Sequence, residues 1–365
     1  MAPTNGNRSI HIAFLIEQGF EDSEFQIPYL ALRETGARVT VVGSRMNSEY
    51  HGKQGKVTVK PEATATEVRS EDFDLIVIPG GHAPDVMRTN PNMVRLIMDA
   101  MGQEKLIAAV CHGPQLLIEA DQLRGRRATG FRAIRKDMQN AGATYIDEAV
   151  VVDGNLITSR QPGDLPMFTT VILSQLGLSL KDTHLPDLGD RQFAWWKLGE
   201  NWGGSSRGDI IRALETAIIG ERYTLSEFRQ YAERARDPEL TLVLQEVCVT
   251  KERNLHRLES RLADFGERVT WQSTASEAYA TLQNWLQAND NDQMSIVRRA
   301  LGDLQTGVVD AFQISISLTD PITAEIFDEV EMNLALHEER LGDYYRARQG
   351  ANVQPPTPTT MAGVS

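Results

Sequence analysis

Only two cysteines, Cys111 and Cys248, occur in 365 residues. That scarcity excludes a disulfide framework and leads to the expectation of a reducing, cytoplasmic compartment. Basic charge is in deficit: a net charge of -13 at pH 7 offers no surface that would release counterions from a phosphate backbone. Nucleic acid is therefore not an expected partner. No apolar run approaches the about 18 residues that a membrane span requires, and the opening MAPTNGNRS lacks the basic and apolar regions of a signal peptide. Also missing throughout is Glu-x-x-His, the pattern with which helical bundles hold paired metal ions. The expectation is a protein without metal or other cofactor.

Apolar residues are plentiful by contrast, at 41% of a chain long enough for two domains. From Ile10 to Gly177 short apolar runs alternate with amphipathic stretches. IHIAFLI (10–16), ARVTVVG (37–43), FDLIVIPGG (73–81) and LIAAV (106–110) read as strands. EFQIPYLALRET (24–35) and PNMVRLIMDAMGQ (91–103) read as helices, the second with Pro91 suited to a first turn. AVVVDGNLITS (149–159) reads as a hairpin about an Asp153-Gly154 turn, followed by a helix through PMFTTVILSQL (166–176). Continuous apolar strands separated by helices indicate a parallel sheet covered on both faces. The expected fold over 10–178 is α/β, a flavodoxin-like parallel-sheet sandwich, after a flexible 1–9.

Residues 179–207 contain Trp195, Trp196 and Trp202, three of five tryptophans in the chain. They read as a linker whose rings pack against a domain or a neighbouring subunit. From Gly208 to Arg348 the pattern is helical, with four apolar stripes. Ile211, Leu214, Ile218, Leu225 and Phe228 make the first; Leu240, Leu244, Val247, Cys248, Leu255, Leu258 and Leu262 the second. Met294, Val297, Leu301, Val308 and Phe312 make the third; Phe327, Val330, Leu334, Leu341 and Tyr345 the fourth. Four such helices predict an all-α four-helix bundle over 208–348. A shorter helix is predicted at SEAYATLQNWLQA (276–288), and a disordered tail at 349–365.

The chemistry centres on LIAAVCHGPQLL (106–117), an apolar strand that stops at Cys111 and turns at once into a helix. A cysteine at such a nucleophile elbow meets unpaired backbone N–H groups, which favour the thiolate and a pKa below the free value of about 8.5. Backbone amides at Gly81 and His112 are the candidate oxyanion hole.

Four stretches, GFEDSEF (19–25), IPGGHAPD (78–85), AAVCHGPQLL (108–117) and TSRQPGDLPMF (158–168), closely resemble the PfpI family. These are intracellular cysteine proteases and stress proteins of the class I glutamine-amidotransferase-like superfamily. The resemblance covers roughly residues 9–177. It implies that Cys111 is the nucleophile, His112 the adjacent proton-moving histidine, and Glu24 the carboxyl group against the sulfur. It implies that Asp85 reaches the histidine of a neighbouring subunit, so that the protein works as a homo-oligomer. Asp85 departs from the family's usual glutamate by one methylene, and Phe131 lacks a hydroxyl that relatives often carry. Glu17 is a second candidate beside the sulfur, and Glu21 and Asp22 read as solvated acids of a first helical turn. The implied function is a stress-response enzyme acting on carbonyl substrates, by glyoxalase-like detoxification or repair of glycated protein. An intracellular peptidase is the alternative, and a non-catalytic redox sensor or chaperone the next.

The segment 208–348 resembles ferritin-like bundles in its helix pattern and in DPELTLVLQE (237–246). Glu221 falls within the first stripe; Glu252 and His256 flank the second, His337 and Glu338 the fourth. Asp303 and Asp310 are expected opposite the third stripe, facing solvent, which leaves a metal-ligand set incomplete. Cys248 reads as plain core.

Overall fold

The structure, a computed structural model, describes residues 9–180, 185–268 and 293–348. The helix expected at 276–288 and the tail at 349–365 lie outside the described residues, as does most of the expected flexible N-terminus. The chain forms two compact units, Met1–Arg207 with Leu318–Ile322, and Gly208–Ser317 with Thr323–Ser365.

The strands of the first unit are β1 (His11–Leu15), β2 (Arg38–Gly43), β3 (Tyr50–His51), β4 (Thr58–Val59), β5 (Ala63–Thr64), β6 (Leu75–Ile78), β7 (Leu106–Val110), β8 (Arg127–Ala128), β9 (Thr144–Tyr145), β10 (Val150–Asp153) and β11 (Leu156–Ser159). Its helices are α1 (Asp22–Glu34), α2 (Ala83–Met87), α3 (Pro91–Gly102), α4 (Pro114–Glu119), α5 (Arg135–Asn140), α6 (Leu165–Gln175) and α7 (Trp195–Asn201). Seven strands form one sheet in the order β10-β11-β7-β6-β1-β2-β5. The parallel run β2-β1-β6-β7-β11 is the flavodoxin-like arrangement. Its order reverses between β1 and β6, and in open α/β sheets the carboxyl ends of the strands at such a point are where ligands bind. Central strands are apolar throughout because helices cover both faces: Ile12 to Ile16, Leu75 to Ile78 and Ile107 to Val110 are all fully buried.

One detail of the sheet differs from expectation. In the antiparallel β10–β11 hairpin, Asp153 pairs with Leu156, so the two-residue loop is Gly154-Asn155 rather than Asp153-Gly154. Gly154 takes φ of +61°, the left-handed value that suits the first position of such a loop. The tryptophan segment belongs with the first unit. Trp195 is fully buried and Trp202 nearly so, both in the α/β core, while Trp196 is half-buried.

In the second unit the described residues form four long helices: α8 (Arg207–Arg234), α9 (Pro238–Asp264), α10 (Gln293–Ser317) and α11 (Pro321–Arg348). The first two stripes bury much as their spacing predicts, with Cys248 in the core, although Ile210 replaces Ile211 and Leu255 is only half-buried. The third stripe is rotated. Ile296, Val297, Ala300, Leu304, Ala311 and Ser315 are buried, whereas Met294, Leu301, Val308 and Phe312 are half-buried. Small residues at 300, 307 and 311 let the backbone approach; a Cβ at Gly307 would stand 2.9 Å from Leu334. That rotation carries Asp303 away from bulk solvent and against Tyr231, whose hydroxyl donates to it at 2.9 Å. In the fourth stripe Tyr344, not Tyr345, is the buried ring.

Candidate functional site

β7 delivers Cys111 at its carboxyl end and α4 begins three residues later, with Gly113 as its cap. Cys111 takes φ of +60°, a left-handed conformation that costs a non-glycine residue roughly 1–2 kcal/mol. Its neighbours hold it there. The Cys111 N–H donates to Ser159 O at 3.0 Å, and the Phe131 N–H donates to Cys111 O at 2.9 Å. Strain at a reactive side chain fits a nucleophile elbow.

The amides of Gly81 and His112 are aimed at the sulfur and act to hold the thiolate. Gly81 is fixed by an antiparallel bridge to Phe20 and by φ of +76°. Glu24, on the first turn of α1, is completely buried beside the thiol and accepts from the Gly80 N–H at 2.7 Å. Gly80 sits at the closest approach. A Cβ there would lie 2.7 Å from Glu24 Oε2, 2.7 Å from the His112 nitrogen and 2.8 Å from Cys111 Cβ.

Burial pushes the Glu24 carboxyl up to about 8, and the charge of nearby Glu21 adds to the rise. Cys111 is pushed well above the ordinary thiol range, first by burial and then by the charge and hydrogen bond of Glu24. This corrects the expectation of a lowered thiol pKa: short α4 and two amides do not outweigh burial beside a carboxylate. The two groups compete for one proton. When the proton is on Glu24 its repulsion vanishes, and the Gly81 and His112 amides are left to favour the thiolate.

His112 is half-buried, with its ring tilted over Phe131 at 5.3 Å between centroids. Burial lowers its pKa, the Gln115 amide and Asp85 carboxylate act against that, and Lys53 and His82 act with it. The ring is therefore neutral near pH 7 and able to accept a proton. Asp85, on α2, is exposed and pairs with Arg88 at 3.1 Å, not with His112 of its own chain. Glu17 is buried but is not the sulfur's partner: its carboxylate accepts from the Gln18 N–H at 3.2 Å and acts on Tyr50.

Glu21 and Asp22 are not solvated acids. Asp22 is buried and accepts from the N–H groups of Gln54, Lys56 and Val57 at 2.7, 2.9 and 2.7 Å, tying down the β3–β4 hairpin. Glu21 pairs with Lys53 of that hairpin at 3.6 Å. Lys53 and Gln115 were not singled out in the sequence. Only the glycines of HGKQG hint at the hairpin, since a Cβ at Gly52 would meet the Asp22 carboxylate at 2.4 Å. Among the described residues no group of three or more His, Cys, Asp or Glu is placed to hold a metal ion. No described helix is long and apolar enough to cross a membrane.

A flavodoxin-like sheet with a strained cysteine at the strand-to-helix turn and a glutamate beside its sulfur defines a class of protein. The sequence matches the DJ-1/PfpI family over residues 10–175. A crystal structure of a two-domain protein from Anabaena variabilis, containing DJ-1/ThiJ/PfpI-like and ferritin-like domains, is 50% identical with a TM-score of 0.91. The match covers 97% of this chain and 100% of that one. General stress protein 18 of Bacillus subtilis is 43% identical over 166 residues, 45% of this chain and 96% of its own. Protein/nucleic acid deglycase 2 of Escherichia coli is 42% identical over 167 residues, 46% of this chain and 97% of its own. The chain belongs to the DJ-1/PfpI family, joined to a ferritin-like helical domain.

Proposed function

We propose that this protein is a cysteine-dependent stress-response enzyme acting on small reactive carbonyl compounds, as a glyoxalase or as a deglycase that repairs glycated protein. The Glu24–Cys111 pair carries the reading. A buried carboxyl group that keeps its proton near neutrality removes one of the two influences that oppose ionisation of the sulfur, and two amides favour the thiolate. The thiolate attacks an aldehyde carbon, and the carbonyl oxygen gains negative charge within reach of the Gly81 and His112 N–H groups. Neutral His112 takes and returns the proton that hydrolysis or isomerisation of the adduct requires. The name of the Escherichia coli relative, a deglycase, favours carbonyl chemistry over peptide hydrolysis.

A panel of methylglyoxal, glycated amino acid and unfolded peptide substrates, run on the wild type and Cys111→Ala, is the test. Methylglyoxal or glycated substrate is consumed catalytically by the wild type, and Cys111→Ala loses at least about 1000-fold in kcat/KM. Peptide cleavage alone would assign a peptidase. Stoichiometric thiol oxidation without turnover would assign a redox sensor.

A further inference from the structure

The bundle unit buries a second group of ionisable residues, independent of the chemistry at Cys111. Lys251 on α9 is 1% exposed. Its ammonium donates to Glu221 Oε1 on α8 at 3.1 Å and to Thr224 Oγ1 at 2.9 Å. The face of Phe228 lies 5.6 Å away. Two more acids share the layer. Glu227 accepts from the Tyr223 hydroxyl at 2.9 Å, and Asp303 on α10 accepts from Tyr231 at 2.9 Å. Burial raises the pKa of both, that of Glu227 to about 7, and the charges of Arg299 and Lys251 act against the rise at each. Toward α11, His337 bonds Thr250 Oγ1 at 2.8 Å, and Asn333 donates to Asn254 Oδ1 at 2.9 Å.

Ferritin-like bundles hold paired metal ions between inward glutamates and Glu-x-x-His pairs on neighbouring helices. These residues do not fit that use. The inward glutamate is present as Glu221, but the facing pair at i, i+3 spacing is Lys251 and Asn254. An ammonium stands where a carboxylate ligand is needed, and an amide where an imidazole is needed. A divalent ion on Glu221 would sit about 2.0–2.2 Å from its oxygen, next to an unscreened positive charge. Repulsion between like charges at that spacing, away from water, excludes it.

We propose that Lys251 is a built-in cation that takes the place of the metal in this ferritin-like bundle, giving buried Glu221 its counter-charge through its own covalent chain. Glu221 depends on it, since the second oxygen of Glu221 is buried and has no hydrogen-bond partner among the described residues. The arrangement gives Glu221 its counter-charge without any supply of iron or manganese.

The full-length chain is incubated without oxygen with Fe(II), Mn(II) or Zn(II), desalted, and assayed for bound metal and Tm. The wild type retains far less than one ion per chain and its Tm does not move. Lys251→Met lowers Tm by roughly 10 °C, because a buried carboxylate is left uncompensated. Adding Glu221→Gln to Lys251→Met recovers most of that loss, as it would not if Lys251 served only by filling space. Lys251→Glu removes the ammonium and adds a ligand, so Mn(II) raises its Tm by about 5 °C or more. Stoichiometric metal in the wild type that disappears in Glu221→Gln would overturn the proposal. A double variant no more stable than Lys251→Met would overturn it as well, as would a folded Lys251→Glu indifferent to Mn(II).

Discussion

Two glutamates, one in each unit, are buried to nearly the same degree and have opposite fates. Glu24 meets a thiol, one backbone N–H and the charge of Glu21, with no cation in contact; burial then raises its pKa to about 8. Glu221 meets the ammonium of Lys251 at 3.1 Å. Burial alone therefore does not make a carboxyl group reactive. The presence of a counter-charge decides: a paired carboxylate is a structural anion, and an unpaired one becomes a weak acid able to exchange a proton with a neighbour. The α/β unit leaves that imbalance in place at the end of β7, while the bundle sets Lys251 against Glu221.

The largest effect expected from disturbing the unpaired side comes from its geometry. Gly80→Ala puts a methyl group within 2.8 Å of Cys111 Cβ and 2.7 Å of both the Glu24 carboxyl and the His112 nitrogen. All three must shift, and about an ångström of misplacement costs on the order of 100-fold in rate. Carbonyl turnover by Gly80→Ala is expected to fall by that factor or more, with Tm measured alongside. Undiminished turnover would show that the Glu24–Cys111 contact is not the working geometry.

Next in size is the charge itself. Glu24→Gln mimics the protonated acid: its carbonyl oxygen accepts from Gly80 while its amide donates toward the sulfur. Turnover falls by about 100-fold if Glu24 exchanges its proton during the cycle. Cys111 alkylation by iodoacetamide, followed against pH, shifts to lower pH because the repelling carboxylate is gone. Stability carries a matching sign. A carboxyl group raised from 4.5 to about 8 on folding contributes stability that is complete below 4.5 and is lost as pH rises through 8. Between those limits the wild type therefore loses Tm more steeply than Glu24→Gln. Parallel Tm curves would mean that Glu24 is ionised throughout.

The α/β fold was legible in the sequence because its strands are uninterrupted apolar runs, and Cys111, His112 and Glu24 stood out as motif residues. Long-range polar partners were not legible. Asp22 serves N–H groups more than 30 positions away, and nothing local separates it from a solvated acid. Asp303 was misplaced for a different reason. Helix α10 is lined by small residues, so the bulkiest side chains, Met294, Leu301 and Phe312, mark its flank and not its buried face. Lys251 escaped notice because a lysine between apolar positions usually reaches out to water.

The smallest effect, and the one that extends the comparison to partners outside the chain, concerns Asp85. His112, like Glu24, has no counter-charge in contact, and a proton-moving histidine works best when an acid fixes its tautomer. Within one chain Asp85 is exposed and paired with Arg88, a surface ion pair that would have to open for it to serve the histidine of a second copy. Asp85→Ala is expected to lower turnover by about tenfold while Tm and Cys111 labelling stay as in the wild type. Asp85→Glu, which only lengthens the reach, should retain activity. Mixing Asp85→Ala with Cys111→Ala under conditions that exchange subunits then restores part of the lost activity. In the mixed pair one site combines an intact cysteine with the partner's intact acid. Undiminished activity in a monomer, or no recovery after verified exchange, would place the orienting group of His112 in its own chain, with the Gln115 amide the nearest candidate.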